Sequence, residues 1–376
     1  MEIESNNAQQ AAKDAQTVAA DSEFSSLGGS ADSSLGLATA DTLEESWVSL
    51  KFTHSGKEYT VDLADSDRVF DLKALLDKLT TVPPERQKII GLVKGKLPPD
   101  QATIRELNLT SGKRFSLIGT PQGHEYKDPA LLDLPDVFND LDIDFSADPN
   151  SEAVRKFKND ARNKRKIREA VAALQVNLMN ELREGKKLLV LDLDYTILDT
   201  KPLTSGALPP SECARPGLHE FLEAVYPYYD ICIWSQTSWV WIETKLAELD
   251  LHNENRNYKI AFVLDKKPMF TVFSKKDGKD FTHQVKALKI IWTLFPQFSE
   301  HNTIHIDDLG RNFALNPNEG LKISPFRDCH TLRASQDREL ESLSMYLVHI
   351  AASGTSFTTF RHKDWKRVVG GLGLPS

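Results

Sequence analysis

The segment Leu188-Leu189-Val190-Leu191-Asp192-Leu193-Asp194-Tyr195-Thr196 constrains this chain more than any other. A continuous apolar run of strand length reads as a strand buried on both faces, and such strands belong to parallel sheets covered by helices. Two carboxylates follow where that strand must leave the core. In open α/β sheets, ligands bind beyond the carboxyl ends of the strands. Asp192 and Asp194 are therefore candidate reacting groups, although a lone Asp-x-Asp is also a common turn.

The pattern after Lys187 extends this reading. Strand-like Ile231-Cys232-Ile233-Trp234 and Thr303-Ile304-His305-Ile306 alternate with helix-like stretches at Leu218 to Tyr226, Trp239 to Leu249 and Arg338 to Ala351. A further amphipathic helix places Val285, Leu288, Ile291, Trp292 and Phe295 on one face. The alternation predicts a doubly wound, Rossmann-like α/β fold with a parallel sheet. Two strand-like runs flanking Lys266-Lys267-Pro268 predict an inserted hairpin. Polar residues recur at strand ends: Ser235 after the second strand, Asp307-Asp308 after the third, and Lys286 at the opening of the amphipathic helix.

Upstream, the organisation changes several times. Residues 1–45 are rich in Ala, Ser, Asp, Asn and Gly, which predicts a disordered tail. Residues 46–120 read as strand, strand, helix, strand, strand, with Leu72, Leu75, Leu76 and Leu79 at helical spacing before Pro83-Pro84. Residues 121–151, with Asp133, Asp136, Asp140, Asp142 and Asp144, predict an acidic linker, and 152–184 a charged helix. Residues 185–376 form the α/β domain. The basic run Lys156, Lys158, Arg162, Lys164, Arg165, Lys166 and Arg168 reads either as a solvated helix face or as a nuclear-import signal.

Composition narrows the partners. A formal charge of -8 argues against direct nucleic-acid binding. The three cysteines, Cys213, Cys232 and Cys329, are too scattered for a disulfide framework or a Cys-x-x-Cys zinc site, which suits a reducing compartment. No apolar run approaches the roughly 20 residues of a membrane span.

The polar groups at the strand ends suit phosphoester chemistry. A carboxylate attacks a phosphate monoester only when cations offset the repulsion. Acidic ligands on neighbouring strand ends suit Mg²⁺, with Asp192, Asp194 and Asp308 as candidate ligands. Asp192 is the candidate nucleophile, forming an acyl phosphate that water then hydrolyses. Asp194, two residues along, is the candidate acid and base. Ser235 is placed to hydrogen-bond a phosphoryl oxygen, and Lys286, with Lys289 as a rival, to neutralise charge. Thr196 is expected to hold the loop.

This ordered set resembles the haloacid dehalogenase superfamily, and within it the FCP/SCP-type protein phosphatases, whose first motif is Asp-x-Asp-x-Thr. The resemblance is carried by Gly185 to Asp192, Trp234-Ser235, Val285-Lys286-Ala287-Leu288 and Asp307-Asp308-Leu309-Gly310-Arg311-Asn312. It departs at Gln236, commonly Ala, and at Ala287, commonly Pro. Residues 46–119 resemble ubiquitin, so the predicted fold is a β-grasp ubiquitin-like domain before the phosphatase domain. Ile90 and Ile118 match two positions of ubiquitin's exposed apolar patch, or else are core.

The resemblance implies a nuclear phosphoserine/phosphothreonine protein phosphatase. Residues 46–120 would dock on the proteasome regulatory particle, whose subunits, as phosphoproteins, would be the substrate. The family also acts on RNA polymerase II tail peptides. The resemblance assigns the metal to Asp192, the backbone carbonyl of Asp194, and Asp308, with Asp307 and Arg215 in support. Two rival readings are a catalytically silent proteasome-binding adaptor and a phosphatase of small metabolites.

Overall fold

The computed structural model describes residues 45–121, 151–276 and 279–373. The tail expected at 1–45 and the acidic linker expected at 121–151 lie outside the described residues, apart from their edge positions.

The first described region begins with β1 (Trp47–His54) and β2 (Lys57–Ala64), an antiparallel hairpin. Ser55 and Gly56 both take left-handed φ, at 48° and 78°, which is the two-residue turn whose twist suits a hairpin. Helix α1 (Val69–Thr80) follows, burying Val69, Leu72 and Leu76, and stops where Thr81 turns left-handed just before Pro83-Pro84. Strands β3 (Lys88–Ile90) and β4 (Arg114–Ile118) complete a sheet of order β2-β1-β4-β3, with β1 and β4 parallel. Apolar residues from both strands and α1, including Leu50, Phe52, Leu72, Leu76 and Phe115, fill the core. Ile90 and Ile118 are left out of it, at 44% and 55% exposed. The register Ile90↔Ser116 puts both on the same sheet face, so the reading of these two residues as core is set aside.

The charged segment forms two helices rather than one. Helix α2 (Glu152–Asn159) ends at Asp160, whose extended backbone breaks the run and whose carboxylate accepts the Asn163 N–H to start α3 (Ala161–Ala173). Helix α3 ends at the extended Leu174. Nor is its basic run simply a solvated face. Arg162 is buried, donating through Nε and Nη2 to both oxygens of Asp71 in α1 at 2.7 Å. Arg165, also buried, pairs with Asp67 and Glu169 and lies over the Trp47 ring. Lys156, Lys158, Lys164 and Arg168 stay exposed.

The larger region runs β5 (Lys187–Leu191), α4 (Thr200–Ser205), α5 (Pro210–Cys213), α6 (Leu218–Val225), β6 (Tyr229–Trp234), α7 (Trp239–Glu248) and β7 (Ile260–Leu264). It continues with β8 (Phe270–Lys276), β9 (Lys279–Val285), α8 (Leu288–Leu294), β10 (Thr303–Asp307), β11 (Gly320–Lys322), α9 (Leu332–Ser335), α10 (Glu339–Ala352) and α11 (Trp365–Gly371). The sheet order is β11-β10-β5-β6-β7, every pair parallel. Along β5, Leu189 and Leu191 pack in the cluster under α6, α7 and α10, while Leu188 and Val190 pack on the opposite face with α8. This is why the strand reads as unbroken apolar sequence.

Two expectations need correction. The run before Lys266 is β7, an edge strand of the main sheet, and the hairpin is β8 with β9. Val285 closes β9, so Lys286 precedes α8 instead of opening it. Strand β11 and helix α11 were not anticipated; three residues carry too little pattern to read as a strand.

The hairpin also meets the ubiquitin-like region. Arg162 Nη1 donates to the Thr271 carbonyl at 2.8 Å, and the rings of Phe70 and Phe273 meet edge-on at 6.0 Å. Burial pushes the Asp71 carboxyl up, but the hydrogen bonds and charge of Arg162 outweigh it and hold it below the usual carboxylate range.

Candidate active site

The chain leaves β5 at Asp192, whose N–H still bonds the Ile306 carbonyl of β10 at 3.0 Å, so the two strand ends stay in register as they open. Tyr195 then takes a left-handed φ of 59°, uncommon for a bulky residue, and its N–H closes a turn on the Leu198 carbonyl at 2.8 Å. This turn returns Thr196 beneath Asp192. The Thr196 hydroxyl donates to Asp192 Oδ2 at 2.8 Å and accepts the Asp308 N–H at 3.2 Å, stitching the first and last motifs together. Arg215, almost wholly buried, donates to the Thr196 carbonyl at 3.0 Å and to both oxygens of Asp337. It braces the loop from behind.

Lys286 is the centre of charge. Its ammonium donates to Asp192 Oδ1 at 2.5 Å and to Asp307 Oδ2 at 2.7 Å, with no part of the side chain exposed. Lys289, the rival, is exposed. Asp307 is saturated further by the Asn312 amide at 2.8 Å and the Leu309 N–H at 2.8 Å. Gln236, where related sequences commonly have Ala, donates to Asn312 Oδ1 at 3.0 Å and so ties the end of β6 to this network.

Asp192, Asp307 and Asp308 gather with ligand atoms within 4.8 Å of one another, all buried. Three carboxylates face one ammonium, and the titration behaviour reflects the shortfall. Burial raises Asp308, and the charges of Asp307 and Asp192 raise it further. Burial also raises Asp192, with Asp307 and Asp194 adding to it against the opposing charge of Lys286. Burial alone would lower the Lys286 ammonium, but Asp192 and Asp307 outweigh it and hold it above its ordinary value. Asp307 stays far below the carboxylate range because Lys286 overrides its burial. A cluster of hard oxygen donors short of positive charge fits a divalent cation.

The sequence matches the family model for NLI interacting factor-like phosphatases over residues 187–358 and that of the ubiquitin family over residues 48–122. It is 42% identical over 328 residues to the ubiquitin-like domain-containing CTD phosphatase 1 of Gallus gallus, covering 86% of this chain and 98% of that one. The Homo sapiens protein of the same name is 42% identical over 320 residues, with 84% and 95% covered. The Arabidopsis thaliana ubiquitin-like domain-containing CTD phosphatase is 38% identical over 331 residues, with 88% and 92% covered. The chain belongs to the ubiquitin-like domain-containing CTD phosphatases.

In this member of the family, Asp194 lies apart from the carboxylate cluster. Its Oδ1 accepts the Thr200 hydroxyl at 2.5 Å and the Lys245 ammonium, and its Oδ2 accepts the Ser235 hydroxyl at 3.0 Å. Ser235 thus tethers Asp194 here; contact with a phosphoryl oxygen would require that bond to be exchanged. Asp307, expected only in support, stands within the acidic cluster, whereas the Asp194 side chain does not. Lys245 and Thr200 were not picked out from the sequence. The signal existed for Lys245, which shares the inward face of α7 with Ile242 and Leu246, where a lysine is out of place.

Proposed function

We propose that this phosphatase is a Mg²⁺-dependent phosphoserine/phosphothreonine protein phosphatase that works through a phosphorylated Asp192. The observation that carries the proposal is the Asp192–Lys286–Asp307 arrangement at the strand ends, beside Asp308. An oxygen of Asp192 attacks phosphorus, the bond from phosphorus to the seryl or threonyl oxygen breaks, and Asp194 supplies the proton that oxygen needs. Water then attacks the aspartyl phosphate, Asp194 takes its proton, and inorganic phosphate leaves with Asp192 restored. Lys286 offsets the charge of the nucleophile and of the acyl phosphate throughout. Asp192 and Asp308, with the Asp194 backbone carbonyl, would hold Mg²⁺, which supplies charge neutralisation for the phosphoryl group.

The exposed Ile90 and Ile118 support a docking role for the ubiquitin-like face, and the proteasome regulatory particle is the partner we assign, its subunits being the phosphoprotein substrates. Lys156, Lys158, Lys164 and Arg168, all exposed, support action in the nucleus. Imaging a tagged chain with these four changed to Ala tests that point: unchanged nuclear enrichment would remove the basic run from import.

Phosphate release from phosphoserine, phosphothreonine and phosphotyrosine peptides, with Mg²⁺ or chelator, tests the chemistry. Metal-dependent turnover of the first two is expected. Absence of any turnover would favour the silent adaptor, and preference for small phosphorylated metabolites would replace the protein substrate. Co-sedimentation with purified regulatory particle, with and without Ile118→Asp, tests the docking.

A further inference from the structure

Lys245 is a buried charged group beside the site that the reaction above leaves without a task. It is carried by α7, its side chain is 2% exposed, and its ammonium is paired with Asp194 Oδ1. Burying an ammonium is costly unless a charged acceptor meets it, and an apolar residue on the same helix face would be easier to accommodate. The neighbours on that face, Ile242 and Leu246, are of that apolar kind.

The kinds of donor around Asp194 match those around Asp192, although the lysine and threonine share one oxygen at Asp194 and take opposite oxygens at Asp192. Each carboxylate has a lysine on Oδ1, Lys286 in one case and Lys245 in the other. Each also has a nearby threonine hydroxyl, Thr196 at 2.8 Å and Thr200 at 2.5 Å. For Asp194 the donors come from three separate elements: Thr200 from α4, Lys245 from α7, and Ser235 just past the end of β6. Donors on both oxygens from three directions fix the plane of the carboxylate, not merely its position.

We propose that Lys245 is a positioning residue: it sets the orientation in which Asp194 meets the oxygen leaving the substrate, and so makes alkyl phosphates such as phosphoserine usable. This rests on the reading of Asp194 as proton donor. A seryl oxygen leaves as a strongly basic alkoxide unless protonated, whereas a nitrophenolate leaves without help, so misplacing the donor harms the first substrate far more than the second.

The test compares kcat/KM for a phosphoserine peptide and for 4-nitrophenyl phosphate, with Mg²⁺, in the full chain and in Asp194→Asn, Lys245→Met and Lys245→Arg. Because kcat/KM reports the steps through departure of the leaving oxygen and not the later hydrolysis that also uses Asp194, Asp194→Asn and Lys245→Met are both expected to lose about 100-fold or more in it on the peptide but less than about 5-fold on the aryl phosphate, with Lys245→Arg recovering most of the peptide activity. Equal losses on the two substrates in Lys245→Met, beside a selective loss in Asp194→Asn, would overturn the role of Lys245 and leave Asp194 as donor. An unselective Asp194→Asn would overturn the donor reading, and the proposal with it. Should Lys245→Met fail to fold, Lys245→Gln carries the same comparison. If neither neutral variant folds, Lys245 serves structure alone and the proposal is overturned.

Discussion

The ubiquitin-like and phosphatase domains use burial in opposite senses. In the first, the packed cluster around Leu50, Phe52, Leu72 and Phe115 is apolar, and Ile90 and Ile118 are among the apolar side chains left standing in water. In the second, apolar clusters fill both faces of the sheet, and a group of charges is also kept from water at the strand ends: Asp192, Lys286, Asp307 and Asp308. A docking surface gains from exposed apolar area that a partner can cover. A reacting centre gains from charges whose water has already been removed, because each then acts strongly on its neighbour. The contrast predicts which substitutions disturb chemistry, which disturb stability, and which disturb neither.

Asp192→Asn should have the largest effect, lowering phosphate release by about 10⁴-fold or more, as expected when a nucleophile is removed. The contrast sharpens if its melting temperature holds or rises, since the change removes one charge from a cluster short of cations. A marked fall in thermal stability would mean that Asp192 is also a structural anchor.

Next in size is Arg162→Met. It strands the Asp71 carboxylate, buried at 6% side-chain exposure, and should cost roughly 3–5 kcal/mol where the two domains meet. Calorimetry should show one unfolding transition separating into two, with turnover of a small aryl phosphate retained. A single unshifted transition would break the view that this ion pair couples the domains.

Acid should act on the phosphatase domain more gradually. His362, buried against Tyr346 with a 2.8 Å hydrogen bond, is pushed down to about 4 by desolvation. It is neutral in the folded protein at pH 7 and gains a proton on unfolding once pH drops below its ordinary value of about 6.5. Its contribution is therefore full above about 6.5 and lost on the way down to about 4, amounting to about 2 kcal/mol by pH 5. Asp71, held low, works in the same direction only below its ordinary value of 3.8. Urea unfolding of the unaltered protein and of His362→Phe at pH 7 and pH 5 checks the first part by difference, because the raised carboxyls of Asp192 and Asp308 work in the opposite direction over the same range; the same pH dependence in both would contradict the burial of His362.

Ile118→Asp should be nearly silent, within about 0.5 kcal/mol in stability and without effect on aryl phosphate turnover, because the residue touches solvent. Loss of regulatory-particle binding in the same variant would complete the contrast.

Much of this was legible in the sequence, and the exceptions share a cause. Strands β5, β6 and β10 and helices α6, α7 and α10 announce themselves by local pattern, as does the ordered set Asp192, Ser235, Lys286 and Asp307-Asp308. The outward aim of Ile118 was also readable, since Phe115 and Leu117 are buried and alternate with it along β4. By contrast, Arg162 and Arg165 look in sequence like Lys164 and Arg168, and only the distant Asp71 and Asp67 distinguish them. That Asp307, and not the Asp194 side chain, joins the carboxylate cluster was equally hidden. It depends on which carboxylate Lys245 and Lys286 reach, a matter of tertiary placement with no period along the chain.

The position of Arg162 has a mechanical consequence. The same guanidinium grips Asp71 in the ubiquitin-like domain and the Thr271 carbonyl of β8, and β8 is laddered to β9, which ends one residue before Lys286. Hydrogen bonds thus run from α1 through one side chain to the hairpin whose second strand leads into Lys286. The ubiquitin-like and phosphatase domains are joined there as a lever is to its bearing.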